Sequence, residues 1–156
     1  MDNNFDKELF LGDSPFDIFK RWLNDAKEKE ISDPEAMALA SVDKEGMPNI
    51  RIVLLRIIEK ESFIFFTNYT SKKGNELLYS KKVAFNIHWK TLRRQVRVRG
   101  LIEKENGSVA DNYFNDRPEG SKIGAWASKQ STVLESRQEL LDRWEKFQER
   151  FQNEVP

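Results

Sequence analysis

Several residues with the chemistry to bind anions are cations placed in or beside apolar runs. Arg93-Arg94-Gln95-Val96-Arg97-Val98-Arg99 alternates, so a two-residue strand period puts Arg93, Gln95, Arg97 and Arg99 on one face and Arg94, Val96 and Val98 on the other. Guanidinium forks grip phosphate oxygens in pairs, which makes the first face a candidate surface for phosphate or nucleic acid. A solvated or interfacial sheet face fits the same alternation. Arg51 and Arg56 bracket Ile52-Val53-Leu54-Leu55, a run apolar enough to be buried on both faces, where flanking charges need partners. Ser71-Lys72-Lys73-Gly74 adds two cations to the free N–H groups of an expected helix start, although it lacks the spacing of a P-loop. Together these groups have the chemistry to hold one phosphate.

A second constellation runs from Tyr113 to Ser131. Tyr113 and Arg117 stand four residues apart, so a helix reaching through both projects them from one face, with Ser121 following the break at Pro118. A hydroxyl, a guanidinium and a second hydroxyl suit a phosphate monoester; a capped helix pair is the structural alternative. His88 sits in an expected strand beside Trp89 with no nearby nucleophile or metal partner, which makes it a structural or surface residue. Trp144 and Phe147 read as core or interface.

Composition narrows the classes. The chain has 156 residues, the size of one domain, and a single domain over residues 1–156 is expected. Its 26 basic and 26 acidic side chains cancel, so no long-range field attracts polyanions or anionic membrane and any anion binding must be local. With no Cys and one His, thiolate and imidazole zinc sites, disulfides, Cys nucleophiles and His-based triads are nearly all excluded. No catalytic side chain and no metal site is assigned; catalysis would rely on an organic cofactor. No run approaches the roughly 18 apolar residues of a membrane span, and the acidic start MDNNFDKELFLGD lacks the features of a signal peptide. A soluble cytoplasmic protein without a membrane partner is expected.

The elements that must position these residues follow from caps and periodicity. Ser14, Pro15 and Asp17 predict a helix start, with Phe16, Phe19, Leu23 and Ala26 as its buried stripe. Ala36 to Val42 predicts a strand, Asp43 to Gly46 a turn, and Asn49 to Ile58 the return strand of a hairpin. Further strands are expected at Ser62 to Thr67, Val83 to Trp89 and Arg93 to Glu103, with a short helix at Ser71 to Tyr79 whose apolar side is Leu77 and Leu78. Val109 to Asn115 and Lys122 to Ala127 read as short helices, and Val133 to Phe151 as a long one. Clustered strands without βαβ alternation predict a mainly β, α+β fold: an antiparallel barrel or sheet with flanking helices.

These residues resemble the pyridoxamine 5'-phosphate oxidase family, FMN-dependent homodimers with a split β-barrel fold. The resemblance rests on Arg51-Ile52-Val53-Leu54-Leu55-Arg56, on Phe65-Phe66-Thr67-Asn68 with Ser71-Lys72-Lys73, on Arg94-Gln95-Val96, and above all on Tyr113 to Ser131, and it spans about Ser14 to Pro156. It implies that Arg51, Lys72 and Lys73 hold the FMN phosphate with hydrogen bonds from Gln130 and Ser131. The Ile52 to Arg56 stretch, Phe66 and Thr67 would line the flavin, and Gln95 would reach its polar edge. Tyr113, Arg117 and Ser121 would take the substrate phosphate, and Arg56 would also contact substrate.

The implied activity is oxidation of pyridoxamine or pyridoxine 5'-phosphate to pyridoxal 5'-phosphate with O2 as acceptor, a step of vitamin B6 metabolism and pyridoxal phosphate biosynthesis, by a homodimer with flavin at the subunit boundary. Two departures stand out. Arg56 occupies a place where members commonly carry Lys, and a planar fork does not replace an ammonium one for one. The sequence also ends at Asn153-Glu154-Val155-Pro156, where relatives continue into a strand-rich segment that touches flavin and substrate. The expectation divides between a shortened oxidase and a small relative that binds FMN or pyridoxal phosphate without catalysis. A nucleic-acid binder using Arg93 to Arg99 is the reading from another class. Zero net charge and the absence of aromatics between those arginines count against it.

Overall fold

Helix α1 (Pro15–Lys29) starts where the Ser14 side chain accepts the Asp17 N–H at 3.2 Å, with Pro15 in the first turn and Asp17 facing the positive helix end. The computed structural model describes residues 9–151 and 155–156; the acidic opening stretch through residue 8 and residues 152–154 lie outside the described residues. Phe19, Trp22, Leu23 and Ala26 form the buried stripe of α1.

Five strands form one sheet in the order β3-β2-β1-β4-β5: β1 (Ala36–Val42), β2 (Pro48–Glu59), β3 (Ser62–Phe65), β4 (Lys82–Trp89) and β5 (Arg94–Leu101). β1 pairs antiparallel with β4, Leu39 opposite Phe85, and β2 pairs antiparallel with β3. The β1–β2 turn is built by Asp43, whose Oδ1 accepts the Glu45 N–H at 3.0 Å and the Met47 N–H at 2.8 Å. The β2–β3 register slips between Leu55 and Ile57, so Arg56 is the extra residue of a bulge.

The helices after α1 are α2 (Lys72–Ser80), α3 (Val109–Asn115), α4 (Glu119–Ala127) and α5 (Arg137–Arg150). The chain divides into two compact units. The first comprises the stretch ending at Ser41, Pro48–Phe66 and Lys82–Gly100; the second comprises Val42–Met47, Thr67–Lys81 and the stretch from Leu101 onward.

The first unit has an aromatic core. Phe63 meets Phe19 edge-on at 5.0 Å and Phe85 edge-on at 5.1 Å, and Trp89, 1% exposed, donates its indole N–H to the Pro34 carbonyl at 2.8 Å. Arg94 pairs with Asp25 at 2.5 Å and lies 5.1 Å over the Trp22 ring, which fixes its side of β5 against α1. In the second unit, Ile123, Phe151 and Val155 are buried with Phe114, Trp144 and Phe147 packed against them.

Several expected boundaries move. β3 ends at Phe65, leaving Phe66 and Thr67 in the loop that leads to α2, and β5 runs from Arg94 to Leu101 instead of Arg93 to Glu103 because Arg93 adopts a turn conformation with φ 53°. α5 begins at Arg137, not Val133: the Ser136 hydroxyl accepts the Glu139 N–H, and Val133, 92% exposed, stays outside. α4 begins three residues early, at Glu119, because the Pro118 carbonyl accepts the Ser121 N–H at 2.8 Å and Gly120 packs where a Cβ would lie 3.5 Å from the Trp144 ring. α3 stops at Asn115, so no single helix carries Tyr113 and Arg117. The Ile52 to Leu55 run is not buried on both faces; Leu55 is 1% exposed but Ile52 is 64% exposed, because the pleat turns alternate residues out of the core. On α2, Leu77 is buried while Leu78 is exposed.

Candidate functional site

In the first unit, Arg51 is set by the β1–β2 hairpin. Its Nη1 donates to the Ser41 hydroxyl at 2.6 Å and lies 3.3 Å and 3.4 Å from the Leu39 and Asn49 carbonyl oxygens. Ile52, Val53, Leu54 and Leu55 follow along β2, and the bulge at Arg56 leaves that side chain exposed. Gln95 is exposed on β5, on the same face as Arg97 and Arg99, and Phe66 is half-buried just beyond β3. The alternation predicted for this strand is therefore present: Gln95, Arg97 and Arg99 face out while Arg94, Val96 and Val98 are half-buried.

In the second unit, Lys73 is the centre of a polar network at the start of α2. Its ammonium donates to Thr67 Oγ1 at 2.7 Å and to Gln130 Oε1 at 2.7 Å, with Ser71 Oγ at 3.5 Å, and the residue is only 8% exposed. Ser71, fully buried, caps α2 by accepting the Gly74 N–H at 3.2 Å and donates to the Asn68 carbonyl at 2.6 Å. Gly74 is required there, since a Cβ would sit 2.4 Å from the Tyr69 carbonyl oxygen. This close approach brings the first turn of α2 against the 68–69 backbone and so fixes Lys72 and Lys73. Lys72 itself is exposed.

The turn after α4 carries Gln130 and Ser131. Ser131 is in the left-handed region, with φ 67°, a conformation that costs a residue with a Cβ and is found where surrounding structure holds it. Tyr113 on α3, Arg117 in the α3–α4 corner and Ser121 in the first turns of α4 are each half-buried, and Arg117 stacks 5.7 Å over Phe114. The second unit also contains a pocket of about 690 Å³ whose walls include Asn68, Phe114, Trp126 and Lys129; none of the expected site residues lines it.

The structure thus brings Thr67, Lys73 and Gln130 into one hydrogen-bonded group and anchors Arg51 separately on β1. Two contributors escaped the sequence reading. Ser41 is the third buried position of β1 after Met37 and Leu39, and a hydroxyl at a core-facing position of a strand was the available signal. The other is the close approach of Gly74 to the Tyr69 carbonyl, which the Ser71-Lys72-Lys73-Gly74 motif did not reveal.

The sheet order and flanking helices define a split β-barrel of the α+β class. A family model described as pyridoxamine 5'-phosphate oxidase matches residues 23–151, and the chain belongs to that family. It is 58% identical over 123 residues to a pyridoxine/pyridoxamine 5'-phosphate oxidase of Brucella anthropi, covering 79% of this chain and 61% of that protein. A protein of the same name from a Ruegeria species is 56% identical over 133 residues, 85% of this chain and 66% of its own length. The chain therefore spans less than two thirds of the curated relatives it matches. Among solved structures, PhzG from Burkholderia lata, in complex with tetrahydrophenazine-1-carboxylic acid, matches with TM-score 0.84 and 25% identity over 94% of this chain and 71% of that one. A pyridoxamine 5'-phosphate oxidase-related, FMN binding protein from Nostoc punctiforme shares the fold, with TM-score 0.64 and 13% identity over 84% of this chain and 73% of that one.

Proposed function

We propose that this chain is a single FMN-binding domain, residues 1–156, that oxidises pyridoxamine or pyridoxine 5'-phosphate to pyridoxal 5'-phosphate with O2 as acceptor, acting as a cytoplasmic homodimer. Family membership supports the class of reaction. The observation that carries the cofactor assignment is Lys73: an ammonium 8% exposed and fixed by Thr67 and Gln130 at the N-terminus of a helix capped by Ser71. A phosphate reaching this place meets a cation with little rotamer freedom left to lose, together with the positive end of the α2 dipole. The donor set fits a phosphomonoester, and FMN carries one.

In this reading Lys72, Lys73 and Arg51 bind the FMN phosphate, and Gln130 and Ser131 add hydrogen bonds. The stretch Ile52, Val53, Leu54, Leu55 and Arg56, with Phe66 and Thr67, lines the flavin, while Gln95 reaches its polar edge. Tyr113, Arg117 and Ser121 take the phosphate of the substrate, and Arg56 also contacts substrate. Bound FMN supplies the redox chemistry, uptake of a hydride and its return to O2. The side chains contribute positioning: two anchored phosphates restrict how the two rings meet, which is an entropic contribution to the rate.

The test is spectroscopic. Purified protein given FMN should show the yellow absorption of a bound flavin, and pyridoxamine 5'-phosphate added without air should bleach it. A flavin that binds but never bleaches identifies a non-catalytic FMN protein on this scaffold; no change in FMN fluorescence on mixing removes the cofactor assignment itself.

A further inference from the structure

Along β1 the buried positions are Met37, Leu39 and Ser41, each 0% exposed. The first two pack as apolar side chains, but the third buries a hydroxyl, which costs stability unless a partner satisfies it. One partner is Arg51, whose Nη1 donates to Ser41 Oγ at 2.6 Å, just under the usual range for a charge-assisted bond. The same Nη1 lies 3.3 Å from the Leu39 carbonyl and 3.4 Å from that of Asn49, so the strand backbone on both sides adds weaker restraints to the same nitrogen. A guanidinium is planar and rigid; holding one nitrogen on a buried oxygen sets the direction of the rest of the fork.

We infer that Ser41 is a positioning residue for phosphate recognition: its buried hydroxyl holds the Arg51 guanidinium in the orientation that binds the phosphate of FMN. The inference rests on the reading that Arg51 meets that phosphate. Without the hydroxyl, Arg51 keeps its charge but regains rotamer freedom that must be lost again when the anion arrives. The loss therefore falls on the phosphorylated ligand and not on the flavin ring.

The test compares FMN with riboflavin, which lacks the phosphate, by fluorescence titration of the full chain freed of flavin. Ser41→Ala and Ser41→Cys should weaken FMN about three- to tenfold, the range for one hydrogen bond, and leave riboflavin unchanged. Ser41→Thr, which restores the hydroxyl, should bind FMN as the parent does. Ser41→Cys keeps the buried site filled with a group that hydrogen-bonds only weakly, so the comparison stands even if Ser41→Ala fails to fold. In an Arg51→Ala background, neither Ser41 substitution should produce a further loss. Parental FMN affinity in both Ser41 variants, equal losses for FMN and riboflavin, or a loss that persists without Arg51 overturns the inference. An Arg51→Ala protein that binds FMN like the parent overturns the phosphate reading of Arg51, and the inference with it.

Discussion

Arg51 and Lys73 are cations whose positions are set by neighbouring oxygens. Replacing Arg51 by Ala should weaken FMN by about 1.5–3 kcal/mol, the range for a hydrogen bond to a charged group, as measured by flavin fluorescence titration. Gly74→Ala places a Cβ 2.4 Å from a backbone oxygen that has no flexible end to move, so the first turn of α2 must shift. The expected cost is on the order of 1–3 kcal/mol in urea unfolding without flavin, and FMN binding should weaken as well. Ser131→Gly should separate stability from binding: the left-handed backbone relaxes, leaving stability equal or higher, while FMN affinity falls with the lost hydroxyl. Residue types alone grouped Arg51, Arg56, Lys72 and Lys73 as cations with the chemistry to hold one phosphate. The Lys73–Gln130 bond joins residues 57 apart and had no local signal; the likeness to a known family implied a role for Gln130, while the bond itself is tertiary.

At the level of elements, α1 was readable from its Ser14 cap and apolar periodicity, and β1 from its alternation. The start of α5 was missed where Val133 and Leu134 continued an apolar pattern past the real signal, Ser136 with Glu139 three residues on. A hydrogen bond from Arg143 holds the Glu139 carboxyl below its usual range, aided by the Glu135 N–H and opposed by partial desolvation. A carboxyl whose value drops on folding stabilises the helix above its ordinary value, and that contribution disappears as pH falls through the lowered one. Amide protection in the first turns of α5 should therefore decline on acidification from the ordinary carboxylate range downward, and Glu139→Gln should flatten the decline. Protection in the parent that does not change across that window would count against the assigned cap. The bulge at Arg56 was equally hidden, since a strand apolar at Ile52, Val53, Leu54, Leu55, Ile57 and Ile58 does not show where its inward and outward alternation changes phase.

For the molecule as a whole, stability depends on apolar contacts that join distant stretches of chain. Phe85, 7% exposed and edge-on to Phe63, ties β4 to β3, and Phe85→Ala should cost about 3–5 kcal/mol by urea titration. The α+β class with antiparallel pairing followed from clustered strands and the absence of βαβ alternation. The exposure of Ile50 and Ile52 did not, because an apolar strand reads alike whether its outer face meets core or solvent. Equal numbers of acidic and basic side chains leave the exposed Arg97 and Arg99 without a supporting field. The protein should elute from a nucleic-acid column well below physiological salt, and retention that falls steeply with salt would revive that partner.

The strut from Lys73 to Gln130 ties a helix start to a surface turn far along the chain, and that tie gives the turn an influence out of proportion to its size. A single protease nick between Ser128 and Ser136 would leave every helix and strand whole while releasing the amide that steadies the lysine. On the proposed reading of Lys73 as an FMN anchor, added flavin would then be released before any loss of secondary structure registered, at a site that circular dichroism cannot see.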